Sequence, residues 1–349
     1  MKRSDFLKNI SAVTFAAALP SYALDSKINS TPAKIIKPKR LKKGDVIGIV
    51  TPGSYITKEE LNDSIKNIEE LGFKSVYSDK VLEMNGYFSS KDKVRADDLM
   101  RMFLRKDVNA ILCARGGYGC SRILPLLDYE VIKNNPKILI GYSDVTALLL
   151  SITHITGLVT FHGPVGISSF NELTTKYFNE VLIEGKSKIK MLSAAEENSD
   201  EPNEFYTISN GTATGLLAGG NLSVLVSLIG TEYDMDFQGK IIFLEEIGEE
   251  PYRIDRMLTQ LIQSGKFKNV TGIALGVFSK CESKKIEPSF ENSFTLREVL
   301  MDRLSGLGIP VAYGLSFGHI KNKFTIPLGI KADFNADKKT ITLLENSVT

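Results

Sequence analysis

Short apolar runs alternate with amphipathic stretches along most of the chain. Val46-Ile47-Gly48-Ile49-Val50 is an apolar run broken by Thr51-Pro52-Gly53-Ser54, with the length and turn residues of a buried strand. Thr57 and Glu60 then have capping-box spacing ahead of Leu61, Ile65, Ile68 and Leu71, which recur at three- and four-residue intervals. That pattern predicts a helix stopped by Gly72. A second helix is expected from about Ser90 to Leu104, and a strand over Ala110–Ala114 before Arg115-Gly116-Gly117-Tyr118-Gly119. The run Ile138-Leu139-Ile140 stops at Gly141-Tyr142-Ser143-Asp144 and turns at once into the helix-like Val145–Leu150. Strands alternating with helices imply a mostly parallel sheet covered on both faces.

The rhythm pauses between about Glu184 and Asn210, where the chain is polar, charged and without sustained period, as a linker would be. It then resumes. The stretch Leu216–Thr231 contains Gly219-Gly220-Asn221; strands are expected over Lys240–Glu246 and Val270–Phe278, helices over Ile254–Ser264 and Phe294–Leu304, and a closing hairpin turns at Asn335-Ala336-Asp337. The expected organisation is a first α/β domain over 44–183, a linker over 184–210 and a second α/β domain over 211–349.

Composition narrows the function classes. The chain has 349 residues, 43% hydrophobic and 24% charged, which is ordinary for a protein with real cores. A net charge of +2, spread through the sequence, gives no basic stripe of the kind a nucleic-acid binder carries. A small-molecule or peptide ligand fits better. Cys113, Cys120 and Cys281 are odd in number and lack C-x-x-C spacing, so they read as buried small hydrophobes rather than as disulfides or zinc ligands. No metal and no cofactor is expected.

The N-terminus differs from the rest. Lys2, Arg3 and Lys8 precede a short apolar segment, Ile10 to Leu19, and Ser21-Tyr22-Ala23 supplies the small residues signal peptidase prefers. Residues 1–23 are therefore expected to be an export signal and 24–43 a tether, placing the protein in the periplasm; an uncleaved segment would leave it cytoplasmic. Arg3-Ser4-Asp5-Phe6-Leu7-Lys8 is similar to a twin-arginine motif whose second arginine has become Ser4, which leaves the export route open. No run approaches the ~20 apolar residues of a membrane span.

The corner at Ser143 is where chemistry is expected. A residue at the carboxyl end of a parallel strand points to the sheet edge where α/β proteins bind ligands. The helix that starts there offers backbone N–H groups to a developing oxyanion. The arrangement has the logic of a nucleophile elbow, although Val145 stands where G-x-S-x-G has its last glycine. A plain N-cap is the structural alternative. As a base, His154 lies in an apolar helical run, whereas His162 and His319 both lie on turns or strand ends and stay equal candidates. Phe243-Leu244-Glu245-Glu246 ends an apolar strand with carboxylates, and Glu249 and Glu250 read as a solvated face.

Taken in order, Arg115–Gly119, Gly141–Asp144, Phe161-His162-Gly163-Pro164, Gly219-Gly220-Asn221-Leu222, Leu244-Glu245-Glu246 leading to Pro251–Arg256, and Gly318-His319 leading to Thr325-Ile326-Pro327-Leu328-Gly329 resemble the L,D-carboxypeptidases. These muramoyltetrapeptide carboxypeptidases are a serine peptidase family that also includes microcin-immunity hydrolases. The resemblance covers roughly residues 41 to 345. It implies an N-terminal Rossmann-like or flavodoxin-like parallel sheet, a smaller C-terminal α/β domain, and an active site in the cleft between them.

The resemblance further implies a triad of Ser143 as nucleophile, Glu245 as acid and His319 as base, with backbone N–H groups of Asp144 and Gly117 as the oxyanion hole. Tyr118, His162, Asn221, Arg122 and Arg256 are the substrate-binding candidates, the two arginines because a carboxypeptidase must recognise a free carboxylate. Many relatives carry Asp at the position of Glu246. The implied reaction releases terminal D-alanine from a murein tetrapeptide stem, and the family also suggests a homodimer. Alternatives are a microcin-like amide hydrolase, a non-catalytic periplasmic binder of muropeptides, and a nucleotide-binding transferase. The last is the weakest, since the glycine cluster at 116–119 lacks full G-x-G-x-x-G spacing.

Overall fold

A computed structural model describes residues 34–194 and 204–349, and residues 1–23, expected to be an export signal, lie outside them. The first sheet takes β1 (Val46–Val50), β2 (Lys74–Val76), β3 (Ala110–Cys113), β4 (Ile138–Gly141) and β5 (Phe161–His162), all parallel in the order β2-β1-β3-β4-β5. This is the flavodoxin-like doubly wound order, whose ligand crevice lies beyond the carboxyl ends of β1 and β3, where the winding reverses. Strands β1, β3 and β4 are almost wholly buried, which is why they read as continuous apolar runs rather than alternating ones. The helix Lys58–Glu70 begins as expected: Thr57 Oγ1 accepts from Glu60 N at 3.2 Å, and Glu60 Oε2 accepts from Thr57 N at 2.8 Å. Such a cap contributes about 1 kcal/mol.

The second sheet is mixed. It holds β6 (Ile189–Leu192), β7 (Tyr206–Ser209), β8 (Thr212–Asn221), β9 (Lys240–Ile247), β10 (Gly272–Ser279), β11 (Val311–Tyr313), β13 (Lys331–Asn335) and β14 (Thr340–Leu343). Their order is β6-β14-β13-β8-β9-β10-β11-β7, with β8 to β11 parallel and the flanking strands antiparallel. The segment 184–210, expected to be a linker, thus supplies both edge strands, while its residues 195–203 lie outside the described ones. With those edges the C-terminal sheet, expected in the smaller domain, has eight strands against six in the first.

One strand does not stay with its neighbours in sequence. β12 (Ile326–Pro327) leaves the second sheet and pairs antiparallel with β5, so that the first sheet ends in a strand from the C-terminal part of the chain. The segment 314–325, which carries His319, therefore runs from β11 in one sheet to β12 in the other. Cys113, Cys120 and Cys281 are free and buried, as their sequence context indicates.

Candidate active site

The loops that follow β1, β3 and β4 converge at the crevice of the first sheet. Ser143 opens the single 3-10 turn Ser143–Val145, which passes into the helix Thr146–Thr156, and its φ is +62°. A non-glycine residue in that left-handed region costs about 1–3 kcal/mol, a strain that neighbouring structure must impose. Part of the imposition is visible at Gly116: a Cβ there would lie 2.9 Å from Ser143 Cβ and 3.0 Å from Asp144 N, so only glycine lets the β3 loop back onto the serine corner. Asp144 is buried, and its Oδ2 accepts from Cys120 N at 2.8 Å, tying the corner to the far end of the same loop. Burial pushes the Asp144 carboxyl above its ordinary range. Gly117 is exposed beside Ser54, whose N donates to Gly116 O and whose Oγ accepts from Tyr118 N.

Across the crevice, β9 ends in the two adjacent carboxylates. Glu245 is fully buried, and its Oε2 lies 2.8 Å from His319 Nδ1. Burial alone would drive the Glu245 carboxyl up, but the charge and hydrogen bond of His319 more than offset it and hold the group below its ordinary value. The His319 loop reaches β9 closely because Gly318 has φ +114° and no side chain; a Cβ there would stand 2.8 Å from Val277 O and 3.1 Å from Glu245 Cβ. Glu246 points away to other partners, accepting from Asn221 Nδ2 at 3.1 Å, Ser223 N at 2.7 Å and Ile247 N at 2.9 Å. Burial raises its carboxyl, and the neighbouring charge of Glu245 adds to the effect.

Contacts between the sheets bring these two groups of residues together. The ring of Tyr142, next to Ser143, meets the His319 imidazole edge-on with centroids 4.9 Å apart, and Asn221 N donates to Thr146 Oγ1 at 3.0 Å. A strained serine at a helix entrance thus shares one crevice with an imidazole oriented by a buried carboxylate. That constellation is suited to nucleophilic acyl transfer.

The remaining sequence-derived candidates have different surroundings. His162 is buried, packs against Phe243 and Phe317, and is held neutral by burial, which brings it down to about 4. A core position leaves it no substrate to touch. Asn221, also buried, caps the helix Leu222–Ser227 through Oδ1. Arg122 is bound by Asp92 through Nε and Nη2, and Arg256 lies over the Tyr252 ring at 5.3 Å. Tyr118 is exposed at the rim, stacked on Phe88 and 5.6 Å from Tyr87, and Arg122 and Arg256 are exposed as well. Glu250, expected on a solvated face, is buried and accepts from Ser289 N and Oγ. Among the described residues, no group of three or more His, Cys, Asp or Glu is arranged to hold a metal, and no helix is long and apolar enough to cross a membrane.

Sequence reasoning missed Arg95. It is buried, donating to Pro52 O and to Gly119 O and pairing with Asp92, so it joins the loops after β1 and β3. Its signal was present: residue 95 lies on the same helical stripe as Leu99, Met102 and Phe103, where a charged side chain needs buried partners.

Known proteins match this chain over most of its length. Residues 47–163 match the family described as LD-carboxypeptidase N-terminal domain, and residues 214–334 match the LD-carboxypeptidase C-terminal domain. A Bacillus subtilis protein named "Probable murein peptide carboxypeptidase" is 36% identical, over 88% of this chain and 94% of its own. The microcin C7 self-immunity protein of Escherichia coli is 32% identical, over 87% of this chain and 94% of its own. A solved structure of a microcin C7 self-immunity protein in complex with aspartyl sulfamoyl adenosine aligns with a TM-score of 0.78 and 28% identity, over 90% of this chain and 100% of the other. The crystal structure of a microcin-immunity-like protein from Bacillus anthracis aligns with a TM-score of 0.79 and 34% identity, over 89% of this chain and 100% of the other.

Proposed function

From the premise that the chain belongs to the LD-carboxypeptidase family, we propose that it is a serine-type L,D-carboxypeptidase that removes terminal D-alanine from murein tetrapeptide stems. The observation that carries this reading is the 2.8 Å pairing of His319 Nδ1 with the buried Glu245, opposite a serine held at φ +62°. His319 takes the Ser143 proton as the serine oxygen attacks the peptide carbonyl. Glu245 orients the imidazole and stabilises its charged form. The N–H groups of Asp144 and Gly117 hold the oxyanion, His319 returns the proton to the leaving amine, and water then releases the acyl-enzyme. The protein acts in the periplasm as a homodimer, exported through residues 1–23.

Incubation of the purified protein with murein tetrapeptide, followed by mass spectrometry, tests the reading: loss of one alanine is expected, and an unaltered peptide overturns it. A microcin-type amide hydrolase is the second reading, favoured by the likeness to the self-immunity protein. Release of aspartate from aspartyl sulfamoyl adenosine by a protein that leaves the tetrapeptide intact selects it.

A further inference from the structure

We propose that Arg115 is the cation that receives the free carboxylate of the residue being released, and so makes the enzyme selective for a chain end. The assignment rests on the carboxypeptidase reading above. Arg95, Arg122 and Lys323 are engaged elsewhere. Arg95 is buried between Pro52, Gly119 and Asp92, and Arg122 is held by Asp92. Lys323 is buried and donates to Ile320 O. Arg256 lies over Tyr252.

Arg115 differs from all of these. It immediately precedes Gly116, the residue whose missing Cβ lets the loop rest on Ser143, so its Cα is fixed beside the reacting corner. Its side chain is 36% exposed, and among the described residues its guanidinium has one polar partner, Glu60 Oε1, at 3.4 Å from Nη1. A contact of that length spends little of a guanidinium with five donors, and the planar fork matches a carboxylate bidentately. Glu60 itself is committed to the capping box at Thr57 N, so it holds the arginine without burying it.

The position also suits the chemistry of release. The carboxylate of a departing amino acid is separated from its nitrogen by one carbon, so its receptor belongs on the side of the crevice where His319 protonates the leaving amine. Tyr142, next to Ser143 on the corner that Gly116 rests on, meets the His319 ring with centroids 4.9 Å apart, so the Arg115 loop and the imidazole border the same crevice.

The test compares two peptides, a murein tetrapeptide ending in D-alanine and the same peptide ending in D-alaninamide, with the wild type, Arg115→Met and Arg115→Lys. The wild type is expected to favour the acid in kcat/KM by about 10–100-fold, the range of a hydrogen-bonded charge pair. Arg115→Met should collapse that preference to about one, chiefly through KM for the acid, and Arg115→Lys should keep an intermediate ratio because it retains the charge but not the fork. Circular dichroism establishes that each variant is folded, and the amide reports any general damage to the site. Equal losses on both peptides, or a wild type indifferent to the end group, overturn the assignment while leaving the carboxypeptidase intact. Turnover of neither peptide by the wild type overturns the carboxypeptidase reading, and this assignment with it.

Discussion

Glu245 and Glu246 are adjacent on β9 and serve opposite faces of it: the first lies 2.8 Å from His319 Nδ1, whereas the second accepts from Asn221, Ser223 and Ile247. Alternation along a strand is what separates them. Glu245→Gln keeps the shape but removes the charge that orients the imidazole, and should lower kcat by roughly 10³–10⁴-fold, as in other serine-hydrolase triads. Glu246→Gln disturbs the Asn221 cap instead and should cost about tenfold. Both are to be measured on the same tetrapeptide with folding checked by circular dichroism. A larger loss at Glu246 than at Glu245 would reverse the assignment of the acid.

Ser143→Ala should abolish tetrapeptide turnover, because it removes the attacking oxygen. Near-wild-type rates in this variant would exclude a serine acyl-enzyme.

The left-handed backbone at Ser143 predicts a stability difference between two inactive variants. Glycine adopts φ +62° without steric cost and alanine does not, so Ser143→Gly should be more stable than Ser143→Ala by about 1 kcal/mol. Urea unfolding of the pair reads this directly. Equal midpoints would mean that the corner relaxes when the hydroxyl is lost.

His162 makes stability depend on pH. Its folded-state value is brought down to about 4 by burial, against an ordinary value near 6.5. The unfolded chain therefore binds more protons between these values, and stability falls as the pH drops through that window. The loss attributable to this residue is about 2–3 kcal/mol between pH 7 and pH 4.5. In His162→Asn the unfolding free energy should be lower at pH 7 through lost packing, yet flatter across the same range. An unchanged slope would place the acid sensitivity elsewhere.

What the sequence made legible was whatever depends on near neighbours. The Thr57–Glu60 cap and the buried strands of the first sheet both follow from spacing. The edge strand β6 was obscured because Ile189 and Met191 alternate with Lys190 and Leu192 inside a charged stretch, too briefly to stand out. The choice between His162 and His319 was closed to local reasoning for a different cause. Both sit at strand ends, and only the packing of β9 against the 314–325 loop decides which imidazole meets a carboxylate. Glu250 was misread because its partner, Ser289, is distant in sequence.

The return of β12 to the first sheet has an evolutionary corollary. Because Ile326 and Pro327 cover the edge of β5, and Leu328 N donates to Thr160 O, the amino-terminal sheet is finished by the part of the chain that follows its own histidine. A gene broken between the halves would produce a fragment with an unpaired β5 edge, the kind of surface that recruits foreign strands and aggregates. The two halves are thus bound to a common inheritance. Neither is free to be shuffled, duplicated or exchanged without carrying off a piece of the other's architecture, and the same crossing keeps His319 on the stretch of chain that joins them.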